Sequence, residues 1–374
     1  MRYLISFVVV LSFVAGCNHA TEKETDTTTQ GVEARGFSIE ESGGIKKLTV
    51  INPWEKARGI SFEYYLVNRA AKVPDSLSGK RIIRTPVQRV ICLSTTHLAY
   101  LDVLEETRAV VGISGSQYIS SPEIRRRMMQ EEVPDVGYGQ NLNYELMVSQ
   151  KPDLVLVYGV GSEVTSYTRK LEELGIPVVM VAEYLEESPL GKAGWVKFIG
   201  AFFEKEQKAD AYFLEVKNEY NRLKQLAAKV SDHPRVLVGS PYKDAWWVPG
   251  GKSYLANLIA DAGGSYIGQN NPSHESYVIS FENALAWGGM ADIWINMGNL
   301  ASKKELLAAD QRFENFEVYK KGKLYNNIKR LSSHGGNDFW ESGTVNPHLI
   351  LRDLITIFHP GLIDEELVYY REIE

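Results

Sequence analysis

From residue 89 onward, short apolar runs alternate with amphipathic stretches: RVICLS, a segment carrying Leu98, Leu101 and Leu104, then AVVGIS, DLVLVYG and IPVVMVA. Apolar runs of this length read as buried strands, and the segments between them as helices. Such alternation predicts a parallel α/β layer structure. It stops near Gly191. The stretch KEQKADAYFLEVKNEYNRLKQLAAKV, Lys205 to Val230, has neither Gly nor Pro and predicts one continuous helix. After Pro234 the first texture returns, with RVLVGS, WWVPGG, a helix through Leu255 and Leu258, a helix from Phe281, strands at ADIWINM and KGKLYNN, and a last helix around HLILRDLITIF.

The two blocks resemble each other. Arg89 to Ser94 matches Arg235 to Ser240, Leu98-Ala99-x-Leu101 matches Leu255-Ala256-x-Leu258, and NYELMVSQKPDLVLV matches SFENALAWGGMADIWI. This weak internal repeat predicts two doubly wound α/β lobes joined by one long rigid helix. A cleft between lobes is a preferred place for a small ligand. Ahead of the first block, FSIEE, a Ser-Gly-Gly turn, KKLTVI and FEYYLV predict an antiparallel hairpin or meander. The expected organisation is a β extension over 36–84, lobes over 85–190 and 233–374, and a helical linker over 191–232.

The N-terminus changes the picture of where the chain works. Arg2, the apolar run Leu4 to Val14 and the tetrapeptide ending at Cys17 describe a secretory signal, too short to span a bilayer as a mature helix. Cys17 after Ala15-Gly16 resembles a lipobox, so residues 1–16 are expected to be removed and Cys17 lipidated. The polar stretch 17–35 buries too little to order itself and reads as a tether. Cys92 is then the one thiol besides Cys17, and its apolar surroundings suggest a buried structural role.

With 374 residues, 44% hydrophobic content and a net charge of −6, the chain has material for two compact lobes and no basic excess for nucleic acid. The cluster Arg125 to Arg127, followed by Glu131 and Glu132, reads as a solvated helix face. PGGKS matches the end of a phosphate-binding loop, but Trp246 stands where the first glycine is required. HExxH, GxSxG and paired CxxC are all missing, so neither an enzyme nor a cofactor is expected.

Loops after the strands of both lobes should line the cleft. They nominate Thr95, Thr96, His97, Tyr118, Tyr138 and Tyr158 from the first lobe, and Tyr242, Trp246, Trp247, His274, Asn337 and Trp340 from the second. Aromatic rings with polar edges suit a flat, polar-decorated ligand. Strand alternation sends one of Trp246 and Trp247 inward and the other outward. HGGNDFWESG, His334 to Gly343, reads either as a cleft loop or as a helix-entry turn capped by Asn337 or Asp338. Glu145 and Glu282 each follow an N-cap candidate, Asn143 and Ser280, by two residues, which alone explains them as first-turn acids complementing a helix dipole.

Taken together, the order RVICLS, VPDVGYGQNLNYELMVSQKPDLVLVYG, GIPVVMV, long helix, WWVPGGKSYLANLIADAGG, ISFENALAWGGMADIWI resembles the cobalamin and ferric-siderophore binding proteins of ABC importers. That resemblance implies capture of a ferric siderophore or similar iron complex, or of cobalamin, by a monomer working with a permease and its ATPase. It implies that Glu145 and Glu282 dock onto arginine-lined pockets of the permease, one carboxylate per lobe. The second-lobe motif is degraded to WGGMADIWI, which leaves Glu282 the weaker match. Haem is an alternative ligand. So is a bare Zn²⁺ or Mn²⁺ held by His97, His274 and His334, although metal-ion relatives carry a histidine where this chain has Val136-Gly137-Tyr138-Gly139. The expected address is a lipid anchor on a bacterial membrane, facing the periplasm or, in a Gram-positive, the cell surface.

Overall fold

The computed structural model describes residues 33–242, 245–321 and 323–374; Cys17 and most of the expected tether lie outside them. Four strands open the described chain: β1 (Phe37–Ser42), β2 (Ile45–Ile51), β3 (Ser61–Asn68) and β4 (Ile82–Thr85). The first three pair antiparallel, as a meander does, and β4 returns parallel to β3. The sequence reading missed β4, whose four residues IIRT are too few to show a period. The sheet turns Phe37, Leu48, Val50, Tyr64 and Leu66 inward. The ring of Phe37 lies 4.9 Å from Trp195 and 5.3 Å from Phe198. The Met180 N–H donates to the Tyr64 hydroxyl at 3.0 Å, so the extension covers an otherwise open strand edge of the first lobe.

The first lobe runs β5 (Val90–Cys92), α1 (Thr95–Val103), β6 (Val110–Ile113), α2 (Pro122–Met129), α3 (Tyr144–Ser149), β7 (Leu154–Val157), α4 (Val164–Glu173) and β8 (Val178–Met180). Its sheet order is β6-β5-β7-β8, all parallel. Every residue of these four strands is buried, Cys92 included, which is why they read as unbroken apolar runs.

Two helices follow: α5 (Pro189–Phe202) and α6 (Glu206–Ala227), the second being the continuous helix expected over Lys205 to Val230. α5 buries twelve of its fourteen residues. A helix apolar on all sides is a core helix, and its lack of an amphipathic period hid it in the sequence. α6 buries Ala209, Phe213, Val216, Tyr220, Leu223 and Ala227, spaced alternately by four and three, along 22 residues or about 33 Å. It packs between α5 and the last long helix of the chain.

The second lobe contains β9 (Arg235–Val238), β10 (Pro241–Tyr242), β11 (Ala245–Val248), α7 (Tyr254–Asp261), β12 (Ser265–Tyr266), β13 (Tyr277–Ile279), α8 (Phe281–Met290) and β14 (Ile293–Ile295). Then come α9 (Lys303–Ala309), α10 (Glu317–Lys321), β15 (Leu324–Asn326), α11 (Pro347–Phe358) and β16 (Arg371–Glu372). The main sheet has the order β12-β9-β14-β15-β16, with β16 antiparallel, and β10-β11-β13 form a small antiparallel sheet. The orders β6-β5-β7-β8 and β12-β9-β14-β15 are the same arrangement of second, first, third and fourth strands. The repeat legible in the sequence is thus a repeat of topology.

Candidate functional site

In parallel sheets, ligands meet the carboxyl ends of the strands. In the first lobe those ends carry Ser94, Ser114, Tyr158 and Glu183. Here a pocket of about 390 Å³ opens, lined by Leu93, Ser114, Tyr138, Leu142, Tyr144, Tyr158, Glu163, Ser166 and Tyr167 among others, all of them first-lobe residues. Of the sequence candidates it contains Tyr138 and Tyr158. Tyr144, Glu163, Ser166 and Tyr167, on or beside α3 and α4, are not among those candidates.

The loops that aim these rings are fixed locally. The Asp135 carboxylate accepts from the N–H of Ser116 at 2.8 Å and of Gly137 at 2.9 Å, tying the loop after β6 to the loop that bears Tyr138. Gly115 lies in the left-handed region at φ 71°, and a Cβ there would press on Tyr118 and Tyr138 at 3.1 and 3.2 Å. The rings of Tyr118 and Tyr138 lie 6.0 Å apart, and each is about half exposed, which leaves contact area open. The hydroxyls of Tyr138 and Tyr158 are 3.4 Å apart. Burial, then that neighbouring hydroxyl, pushes the Tyr158 phenol up, so it stays a neutral donor at physiological pH. Tyr167 donates to the Tyr158 carbonyl and Tyr184 to the Gly159 carbonyl, holding the strand end.

His97 is fully buried behind this wall, its ring 6.5 Å from Tyr158. Burial lowers its pKa to about 3, so it is neutral, and neither ring nitrogen has a protein partner. The expected contact between His97 and a ligand is therefore not made at the surface of the pocket. Thr96 donates to the buried carboxylate of Glu183 at 2.6 Å, and Thr95 is half-buried at the start of α1. Burial pushes Glu183 up and Lys192, its nearest cation, down. Lys192 lies over the ring of Tyr254, 5.0 Å away, and so joins α5 to α7 of the second lobe.

The second-lobe candidates divide differently. Trp246 is 2% exposed and is a core residue, its ring stacked 5.9 Å from Phe316 and 6.0 Å from Trp294. Trp247, the next residue, is 51% exposed, as strand alternation requires. The backbone of Tyr242 belongs to β10, and its side chain lies outside the described residues. His274 is not free: its ring pairs with Glu187 at 3.0 Å across the lobes. His334 is exposed in a turn. His97, His274 and His334 thus occupy three separate settings, and among the described residues no group of three His, Cys, Asp or Glu side chains is placed to hold a metal ion.

Asn337 accepts from the Phe339 N–H at 3.1 Å, which makes it a turn residue, while Trp340 is half exposed. The segment around them also lies against the first lobe, since a Cβ on Gly336 would come within 2.6 Å of the Tyr118 carbonyl oxygen. HGGNDFWESG thus forms a turn that packs against the first lobe.

Glu145 and Glu282 are exposed in the first turns of α3 and α8. Asn143 caps α3 through the Leu146 N–H at 3.0 Å, and Ser280 caps α8 through the Asn283 N–H at 3.2 Å. Backbone hydrogen bonding at the helix start, the Ser280 hydroxyl and nearby Arg312 hold Glu282 below the usual carboxylate range.

A family model described as periplasmic binding protein matches residues 90–329. An uncharacterized lipoprotein of Methanocaldococcus jannaschii is 29% identical over 312 residues, covering 80% of this chain and 72% of the relative. A second uncharacterized lipoprotein of that organism is 28% identical, covering 85% and 82%. Among solved structures, a periplasmic heme binding protein from Pseudomonas aeruginosa superposes with a TM-score of 0.60 at 17% identity, covering 77% of this chain and 98% of its own. A periplasmic heme-binding protein from Roseiflexus in its apo form gives 0.57 at 20% identity, covering 74% and 99%.

Proposed function

Because the chain belongs to the periplasmic binding protein family that serves ABC importers, we propose that it is a lipid-anchored capture subunit for an iron complex, haem or a ferric siderophore, and turns over no substrate. The observation that carries this reading is the preformed pocket of about 390 Å³ walled by Tyr138, Tyr144, Tyr158 and Tyr167 at the carboxyl ends of the first-lobe strands. Aromatic walls with hydroxyl edges favour a flat ligand with polar substituents over a bare ion. The heme-binding neighbours support haem as one such ligand. Cobalamin, also flat-faced, belongs in the same test. Lipid anchoring through Cys17 is supported by the relatives' names as lipoproteins.

The exposed carboxylates Glu145 and Glu282, one on each repeated unit, suit docking to cationic sites on a permease through charge-assisted pairs. Replacing either with alanine should leave ligand affinity unchanged and cripple uptake; an equal loss of ligand binding would refute docking. The ligand itself is tested by titrating the chain without residues 1–17 with haem, cobalamin, a ferric trihydroxamate and Zn²⁺, following visible absorbance and tryptophan fluorescence. Saturable binding of a coloured complex at micromolar concentration or below supports the reading. Binding of Zn²⁺ alone would overturn it.

A further inference from the structure

We propose that Glu341 is a clasp that positions the two lobes against each other and so sets their separation. Glu341 belongs to the second lobe and is 3% exposed. Its two carboxyl oxygens accept from the backbone N–H groups of Ser120 and Ser121, both at 2.7 Å, in the first lobe. Those residues lead directly into α2, whose N-terminus has N–H groups without partners of their own. The bond therefore joins a side chain of one lobe to the helix start of the other, across more than two hundred residues of sequence.

The segment bearing Glu341 is stiff enough to transmit position. Asp338 pairs with Arg330 at 3.0 Å and accepts from the Ser342 hydroxyl at 2.7 Å, and that hydroxyl also meets Tyr369 at 2.9 Å. Gly336 seats against the Tyr118 and Ile119 carbonyls so closely that a Cβ would come within 2.6 and 2.9 Å of their oxygens. The contact thus has a hydrogen-bonded half at Glu341 and a steric half at Gly336. On the first-lobe side it adjoins Tyr118, whose ring leads to Tyr138 and the pocket. Only the consequence for ligand release rests on the capture role proposed above; the positioning itself does not.

The test compares wild type with Glu341→Gln, Glu341→Ala and Gly336→Ala, each checked for an unchanged helical signal. Glu341→Ala should speed amide exchange at Ser120 and Ser121 by about tenfold or more and increase the radius of gyration from X-ray scattering, with Glu341→Gln intermediate. Gly336→Ala, which keeps the carboxyl group, should widen the molecule in the same direction. Haem, where it binds, should dissociate faster from all three. Faster exchange with unchanged scattering in Glu341→Ala would overturn the proposal, because the bond would then be a local helix cap. Unchanged exchange would overturn it too. If no coloured complex binds at all, the capture role fails while exchange and scattering still decide the clasp.

Discussion

The two lobes share one strand order yet set different aromatic residues around their strands. At the carboxyl ends of the first-lobe strands the tyrosines leave a pocket open. In the second lobe, Trp246, Trp294, Phe281, Phe313 and Phe316 pack together with Leu237 of β9 and Leu324 of β15 into a core. The indole of Trp246 donates to the Val238 carbonyl at 3.3 Å and that of Trp294 to the Gly239 carbonyl at 2.7 Å. Both carbonyls stand at the end of β9, so indoles take up acceptors there. Duplicated topology therefore does not carry duplicated surroundings: tyrosines wall a pocket in one lobe, and indole and phenyl rings fill a core in the other.

The sharpest way to break that comparison is to empty the packed core. Trp246→Ala should destabilise the protein by about 3–5 kcal/mol, as large-to-small changes in a full aromatic core do, read as a shifted denaturant midpoint. If stability stayed within about 0.5 kcal/mol, the second-lobe aromatic cluster would not be a core. Its sequence neighbour gives the contrast. Trp247→Ala should change stability by no more than about 0.5 kcal/mol, since half of that ring already meets water, and any sizeable effect should appear in ligand affinity instead.

A smaller effect concerns pH. Burial pushes the Glu341 carboxyl up to about 7, helped by the nearby carboxylates Asp338 and Asp102 and opposed by the Ser120 and Ser121 amides. Arg330 faces Asp338 from the other side. A carboxyl exposed by separation of the lobes would return to the ordinary range near 4.3. The seated form then holds its proton more tightly, so the contact gains stability as pH falls from about 7 towards the exposed value, and that contribution is gone once pH has risen through about 7. Scattering should give a larger radius at pH 8 than at pH 6, and Glu341→Ala should remove the difference. A radius that shrinks on going to pH 8 would contradict the assignment.

Much of the fold could be read from the chain because its strands are uniform apolar runs and α6 keeps a three-four period. α5 could not, because burial on every side erases the period that marks a helix. The caps Asn143 and Ser280 were legible from residue type and spacing alone. The site was legible where an aromatic residue sits in a loop on the carboxyl side of a strand, as Tyr138 and Tyr158 do. Tyr144 and Tyr167 reach the pocket from helices, and only knowledge of which helix face looks toward the strand ends would have found them. His97 misled for a related reason. It follows a strand, yet helix α1 turns its ring into the core. Glu183 and Glu341 gave no sign, since buried and exposed carboxylates look alike until tertiary partners are known.

The central claim is that the first-lobe tyrosines capture the ligand, and haem affinity measured by absorbance for wild type and for Tyr138→Ala/Tyr158→Ala tests it most directly. Tight binding by wild type with a loss of roughly 30-fold or more in the variant, at an unchanged melting temperature, is the expected result. Equal affinity in the two proteins would contradict the account and place the ligand elsewhere.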